Sequence, residues 1–238
     1  MTNDLINLED VIKRDMTLFL VIDQSGSMAG EKIGAVNTAI REAIPMLRDV
    51  GGSDANIRIA ALLFSSGCRW MYPEPMAAAY FEWTPVEAFG VTDLGAALQE
   101  LDNKMSRKSF LNSPSASVAP AIFLMSDGQP TDEYAIALKQ LQNNNWFKHS
   151  IKVAIAIGGD ADKNILEEFT GAREAVITLH TPESLRKFIR FVTLTTVKIG
   201  TDSHNDPNRT KQIAMIQNIE EFKNENSDID ENAPDQWD

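Results

Sequence analysis

At 238 residues, 43% hydrophobic and 24% charged, the chain has material for one ordinary core plus a tail, which excludes two full domains and wholesale disorder. A formal net charge of -12 without a Lys/Arg cluster repels phosphate backbones and anionic lipid, so neither nucleic acid nor a membrane surface is expected as a partner. The single cysteine, Cys68, allows no internal disulfide and reads as a small buried hydrophobe, which fits a reducing compartment.

The opening MTNDLINLEDVIKRDM carries Asp4, Glu9 and Asp10 and lacks the apolar stretch of a secretory signal. No run approaches the roughly 20 apolar residues that cross a bilayer, so a cytoplasmic location is expected. Residues 1–14 read as a lead-in. The first strand is Leu18 to Ile22, bounded by Asp15 and Asp23, and its unbroken apolar character is that of a parallel strand covered on both faces. Ile33, Val36, Ile40, Ala43, Ile44 and Leu47 then recur at three- and four-residue spacing, one face of a helix from which Glu31, Lys32, Arg41 and Glu42 point away. Pro45 predicts a kink in that helix or an early end. Ile57 to Phe64 is a second strand.

The segment Cys68 to Pro85, rich in aromatics and prolines, suits an antiparallel edge hairpin that covers the sheet. Leu94 to Met105 reads as a helix, Ala121 to Met125 as a strand, Asp132 to Gln142 as a helix and Ile151 to Ile157 as a strand. Lys163 to Phe169, the short strand Ala175 to Leu179, and a helix Pro182 to Leu194 capped by Thr181 follow. This alternation predicts an α/β fold, Rossmann-like and doubly wound, with a mostly parallel central sheet, one antiparallel edge strand and helices on both faces over 15–199. Residues 200–238 form an acidic, partly disordered tail. Its part from 201 to 238 holds ten acidic and three basic side chains, and Ile213, Ile216, Ile219 and Phe222 mark one short helix that could dock on the body.

Chemistry is concentrated at strand ends. Asp23-Gln24-Ser25-Gly26-Ser27 follows the first strand directly. A bare D-x-S-x-S arises by chance in roughly one chain in twenty of this length. Its position raises its weight, because open α/β sheets bind ligands outside the carboxyl ends of their strands. Ser126-Asp127-Gly128-Gln129-Pro130-Thr131-Asp132 occupies another such end, and Gly90-Val91-Thr92-Asp93-Leu94-Gly95 offers Thr92 at the mouth of a helix.

Hydroxyl and carboxylate oxygens from three loops are the ligands of a hard cation. Asp23 and Asp127 would offset a divalent charge, with Ser25, Ser27 and Thr92 filling further positions. Magnesium is expected, with manganese or calcium as alternatives, and its octahedron leaves room for an external ligand. His149, His180 and His204 are scattered and form no ligand spacing. Asp132 and Glu133 are expected to cap the following helix, and Asp93 to act likewise at its own helix start. Gly26 to Lys32 fails as a phosphate loop, because Ile33 stands where Ser or Thr is needed.

Leu18 through Met28, Gly90 through Leu98 and Leu124 through Asp132 resemble von Willebrand factor A domains, and within these the bacterial TerY-type proteins of tellurite-resistance and stress clusters. The resemblance runs from about Met16 to Thr196. It departs from the pattern in the long, Ser-rich loop Ser106 to Pro120 and in the acidic tail. The resemblance implies a metal-ion-dependent adhesion site made by Asp23, Ser25, Ser27, Thr92 and Asp127, rimmed by Gln24, Gly26, Met28, Gly90, Asp93 and Gln129. There an Asp or Glu of a protein partner completes the metal shell, and no catalysis is implied. For TerY-type proteins it further implies an associated protein kinase or protein phosphatase as partner. The competing expectation is a magnesium-dependent phosphotransferase of the haloacid dehalogenase kind with Asp23 as nucleophile. That chemistry needs an acid two residues later, where this chain has Ser25.

Overall fold

Ten consecutive residues, Arg14–Asp23, form β1, and all but the first are buried. In the computed structural model, which describes residues 14–50, 55–112, 117–201, 210–226, 229 and 233–237, this strand is the centre of a seven-stranded sheet. It pairs in parallel with β2 (Ala55–Ser65) on one side. Across the sheet lie β3 (Gly67–Trp70), β4 (Met76–Ala77), β5 (Ala121–Ser126), β6 (Ile151–Ile157) and β7 (Val176–Leu179), in the order β3-β2-β1-β5-β6-β7. The run from β2 to β7 is parallel throughout. The expected antiparallel edge consists of β3 and the two-residue β4, both paired to β2.

Side-chain alternation divides the core into two layers. Met16, Leu18, Leu20 and Ile22 face α1 (Glu31–Val50), α6 (Pro182–Thr201) and α7 (Lys211–Glu225). Phe19 and Val21 face α2 (Leu94–Lys104), α3 (Tyr134–Leu141), α4 (Asn145–His149) and α5 (Lys163–Thr170). The sheet is therefore covered on both sides, as its non-alternating strands require.

Several expectations are corrected. Of the two outcomes expected at Pro45, the early end does not occur: α1 runs through it to Val50, because Pro45 sits on the exposed side while Ile44 and Leu47 keep the helix on the core. α6 continues past Leu194 to Thr201, carried by buried Thr196 and Val197. Its start is capped as expected, Thr181 Oγ1 accepting the Ser184 N–H at 3.0 Å. α4 has no apolar repeat long enough to read; Asn144 starts it by accepting the Trp146 N–H at 2.8 Å. In the tail, α7 docks through Met215 and Ile219, both fully buried, with Phe222 partly so, whereas Ile213 is exposed. Spacings of four and three hold one helical face, while strict steps of three drift off it. The expectation of a solvated, mobile tail falls partly on 202–209, 227, 228, 230–232 and 238, outside the described residues. No helix among the described residues is long and apolar enough to cross a membrane.

Lys152 on β6 is the core's anomaly. It is buried, with its ammonium donating to the carbonyls of Phe147 (3.1 Å) and Ser150 (3.3 Å) and lying 5.0 Å from the Phe147 ring centroid. Burial pushes its pKa from 10.5 down to about 8. As pH falls, the unfolded chain takes up this proton near 10.5 and the folded chain only near 8, so stability is lost across that window and the full cost stands at pH 7. Lys152→Met is expected to raise unfolding free energy at pH 7 by at most about 3 kcal/mol. It should also flatten the pH dependence of chemical denaturation between pH 8 and 10.5.

Candidate functional site

Register brings the two acidic loops together. Ile22 of β1 is paired with Met125 of β5, so Asp23 ends its strand beside Ser126, and Asp127 follows immediately. The Ser25 N–H donates to Asp23 Oδ1 at 2.8 Å, and the Ser126 hydroxyl donates to Asp23 Oδ2 at 2.6 Å. Ser25 Oγ and Ser27 Oγ are 3.0 Å apart, and Ser27 Oγ donates to Asp127 Oδ1 at 2.7 Å. Lys32 Nζ donates to Asp127 Oδ2 at 2.5 Å.

The oxygens surround a small space. The point where a β-carbon on Gly128 would stand is 3.4 Å from both Ser27 Oγ and Thr92 Oγ1 and 3.9 Å from Asp23 Oδ2. Asp23 and Asp127 are 0% and 1% exposed. Burial raises the Asp23 carboxyl above its ordinary value; hydrogen bonds from Ser126 and Ser25 oppose this, and the charge of Asp127 adds to it. Two like charges thus share a buried corner in which Lys32 is the cation paired with Asp127. Among the described residues, no group of three or more His, Cys, Asp or Glu gathers into a metal cage, so the donors here are two carboxylates and hydroxyls.

Backbone and side-chain ties hold the loops in register. Gly26 N–H donates to Gly90 O (3.0 Å), and Phe89 N–H donates to Gln24 O (2.7 Å), joining the first loop to the second. Thr131 N–H donates to Thr92 O (2.9 Å), and Thr92 N–H donates to Thr131 Oγ1 (3.1 Å), joining the second to the third. Asp132 accepts the Gly95 and Ala96 N–H groups at 2.9 and 3.0 Å, in the first turn of α2. It therefore caps α2, across the loops, and not the helix that follows it in sequence. Asp93 corrects the other expectation, for its side chain makes no cap bond and instead accepts the Gly67 N–H at 2.7 Å.

Of the five residues proposed as ligands, Asp23, Ser25, Thr92 and Asp127 are buried and Ser27 is exposed, and the contacts above bring all five together. The expected rim is narrower. Gly26, Gly90 and Gln129 are exposed, and Asp93 is half-buried and committed to Gly67. Gln24 and Met28 are corrections, at 2% and 0% exposure. The Gln24 N–H donates to Phe64 O at 2.8 Å and its carbonyl accepts from Phe89, which turns its side chain under the loop toward Ser65, and the single helical turn Gly26–Met28 drives Met28 into the core. Lys32, Ser126, Thr131 and Asp132 also belong to the site, beyond the ligands and rim expected from the sequence. Helical spacing turns Lys32 away from the apolar face of its helix, and the strand-end position of Ser126 signals its neighbourhood.

The haloacid dehalogenase alternative finds no support. Both oxygens of Asp23 are engaged by Ser25 and Ser126, and the hydroxyl of Ser25, where an acid would be required, is bonded to Ser27.

A doubly wound sheet with an oxygen-lined cradle at the carboxyl ends of its two central strands defines the class. The chain belongs to the von Willebrand factor type A domain family, whose sequence profile matches residues 17–191. Over 103 residues it is 30% identical to the human collagen alpha-6(VI) chain, a stretch covering 42% of this chain and 4% of that one. It is similar in structure to a von Willebrand factor type A protein from Catenulispora acidiphila, with TM-score 0.55 and 20% identity over 77% of this chain and 43% of that one. The tip protein Mfa5 of type V pili from Porphyromonas gingivalis gives 0.60 at 12% identity, with 81% and 98% covered. Proximal thread matrix protein 1 of the mussel byssus, solved with a zinc-occupied MIDAS motif, gives 0.59 at 17% identity, with 76% and 48% covered. At these identities the structural likenesses establish the fold.

Gly95 marks a close approach of α2 to the third loop, since a β-carbon there would stand 2.8 Å from Asp132 Oδ2 and 2.9 Å from Tyr134 Cα. Gly→Ala inside a helix ordinarily stabilises by about 0.5–1 kcal/mol. That gain is expected at Gly34 in α1, where a β-carbon meets nothing within 4 Å. Gly95→Ala should reverse the sign and cost about 1–3 kcal/mol, as urea denaturation of the two variants will read.

Proposed function

We propose that this chain is a metal-dependent protein–protein interaction module without catalytic activity of its own. Asp23, Ser25, Ser27, Thr92 and Asp127 would hold a divalent cation, magnesium by preference, with manganese or calcium as alternatives. The observation that carries the reading is the convergence of Asp23 and Ser27 oxygens from the first loop and the Thr92 oxygen from the second on the space beside Gly128 of the third. The donor chemistry fits, because two buried carboxylates with hydroxyls suit a hard ion better than a soft one. The ion would supply a positive vertex for a partner's Asp or Glu, and Gly26, Gly90 and Gln129 would form the surface around it. The family membership and the metal-bearing mussel relative support the same reading.

The likeness of the strand-end motifs to TerY-type proteins supports a finer assignment. On that reading the chain is a cytoplasmic scaffold in a stress or tellurite-resistance system, or in a kinase–phosphatase pair, and its partner is the phosphatase or kinase encoded with it. The lone Cys68 agrees with that compartment.

A ligand that binds only the native state at a hundredfold excess over Kd adds about 2.7 kcal/mol, which for this size of chain raises Tm by roughly 5–10 °C. Magnesium is expected to produce that rise in the wild type and to lose it in Asp127→Ala. Gly128→Ala is the second variant, because its methyl would enter the cradle while leaving every ligand in place. Equal rises in wild type and both variants would sink the assignment. In pull-downs, partner capture should fall when EDTA is added; capture indifferent to EDTA would move recognition to another surface.

A further inference from the structure

The C-terminal segment ends beside the site, on the face of the sheet that α1 and α6 cover. Asp235 accepts the Gly159 N–H at 3.0 and 3.1 Å and bonds His180 Nδ1 at 2.5 Å. Gln236 N–H donates to His180 O at 2.9 Å, and Trp237 packs on the core layer beneath α1 and α6. His180 is 6% exposed. The carboxylate thus sits in a niche built at the ends of β6 and β7, beside the cradle at the ends of β1 and β5.

Lys32 stands between the two. Its ammonium bonds Asp127, and both Lys32 Nζ and Asp235 Oδ2 lie 3.5 Å from where a β-carbon on Gly158 would be. Gly158 has φ 90, a conformation that disfavours a side chain there. Burial pushes the Asp235 carboxyl up, yet the Gly159 N–H, His180 and Lys32 together hold it below its ordinary value.

An ammonium and a divalent ion cannot share Asp127 closely, since like charges a few ångströms apart in a weakly screened corner repel strongly. A lysine has a flexible stem and can swing to the next acceptor. We propose that Lys32 is a resident cation shared by the cradle and the C-terminal segment, so that when the cradle is filled its ammonium leaves Asp127 for Asp235 and tightens residues 233–237 on the sheet. The inference rests on the metal reading given above. By linkage the docked segment in turn raises metal affinity by the same factor.

The test uses the full chain and magnesium chloride alone, with affinity read by titration calorimetry and docking read by hydrogen exchange of the Gly159 amide. Asp235→Asn is expected to weaken magnesium binding about fivefold and to speed Gly159 exchange. Lys32→Met should tighten magnesium, and in that background Asp235→Asn should weaken it by less than about twofold. Saturating magnesium should slow Gly159 exchange about fivefold in wild type and leave it unchanged in Lys32→Met. Equal weakening by Asp235→Asn in both backgrounds, or wild-type exchange indifferent to magnesium or to Asp235→Asn, would overturn the coupling while leaving the cradle intact. Failure of the wild type to bind magnesium at all would remove cradle and coupling together.

Discussion

The site depends on an unfavourable contact: two ionisable carboxyls, Asp23 and Asp127, are buried side by side because parallel pairing places the ends of β1 and β5 at one level. Such a pair persists only where other groups compensate it. Here the compensation consists of a serine hydroxyl and an amide on Asp23, and a serine hydroxyl and an ammonium on Asp127. Gly128 leaves between them a space that any larger residue would fill. The arrangement makes physical sense for a corner adapted to a positive charge, and Lys32 supplies part of that charge from within the chain.

Holding the corner requires that three loops move as one. Asp132 is central to this, because its carboxylate satisfies the first free amides of α2 and so fastens the loop after β5 to the helix that carries Thr92 at its entrance. Gly95 permits the close approach. Burial of Gln24 and Met28 follows from the same tight docking of the first loop. What remains at the surface is largely backbone at Gly26 and Gly90, the hydroxyl of Ser27, and the apolar side chains of Phe89 and Val91, which are 52% and 48% exposed.

How much of this the sequence discloses follows from the range of each interaction. Five parallel strands and the larger helices are legible because apolar runs and three-to-four spacing are local consequences of burial on both faces or on one. Asp23, Ser25, Ser27, Thr92 and Asp127 are legible because each lies at a strand end or a helix mouth. Asp132 misleads because proximity in sequence favours the next helix, whereas its partner α2 is contributed by a much earlier segment. Lys32 misleads because its helical position looks outward, and only the three-dimensional course of the first turn of α1 brings it to Asp127. Asp235 has no local signature, since its niche is assembled from Gly159 and His180 of two different strand ends.

The direction of β1 separates the poles of the molecule. The strand begins at Arg14 and reaches the cradle at Asp23, a rise of about 30 Å for an extended segment of this length. The C-terminal segment instead ends beside the cradle, with Asp235 and Trp237 in contact with the body. An affinity handle or surface tether joined ahead of Arg14 therefore leaves the oxygen-lined edge facing outward, whereas one joined after Trp237 crowds that edge from the outset.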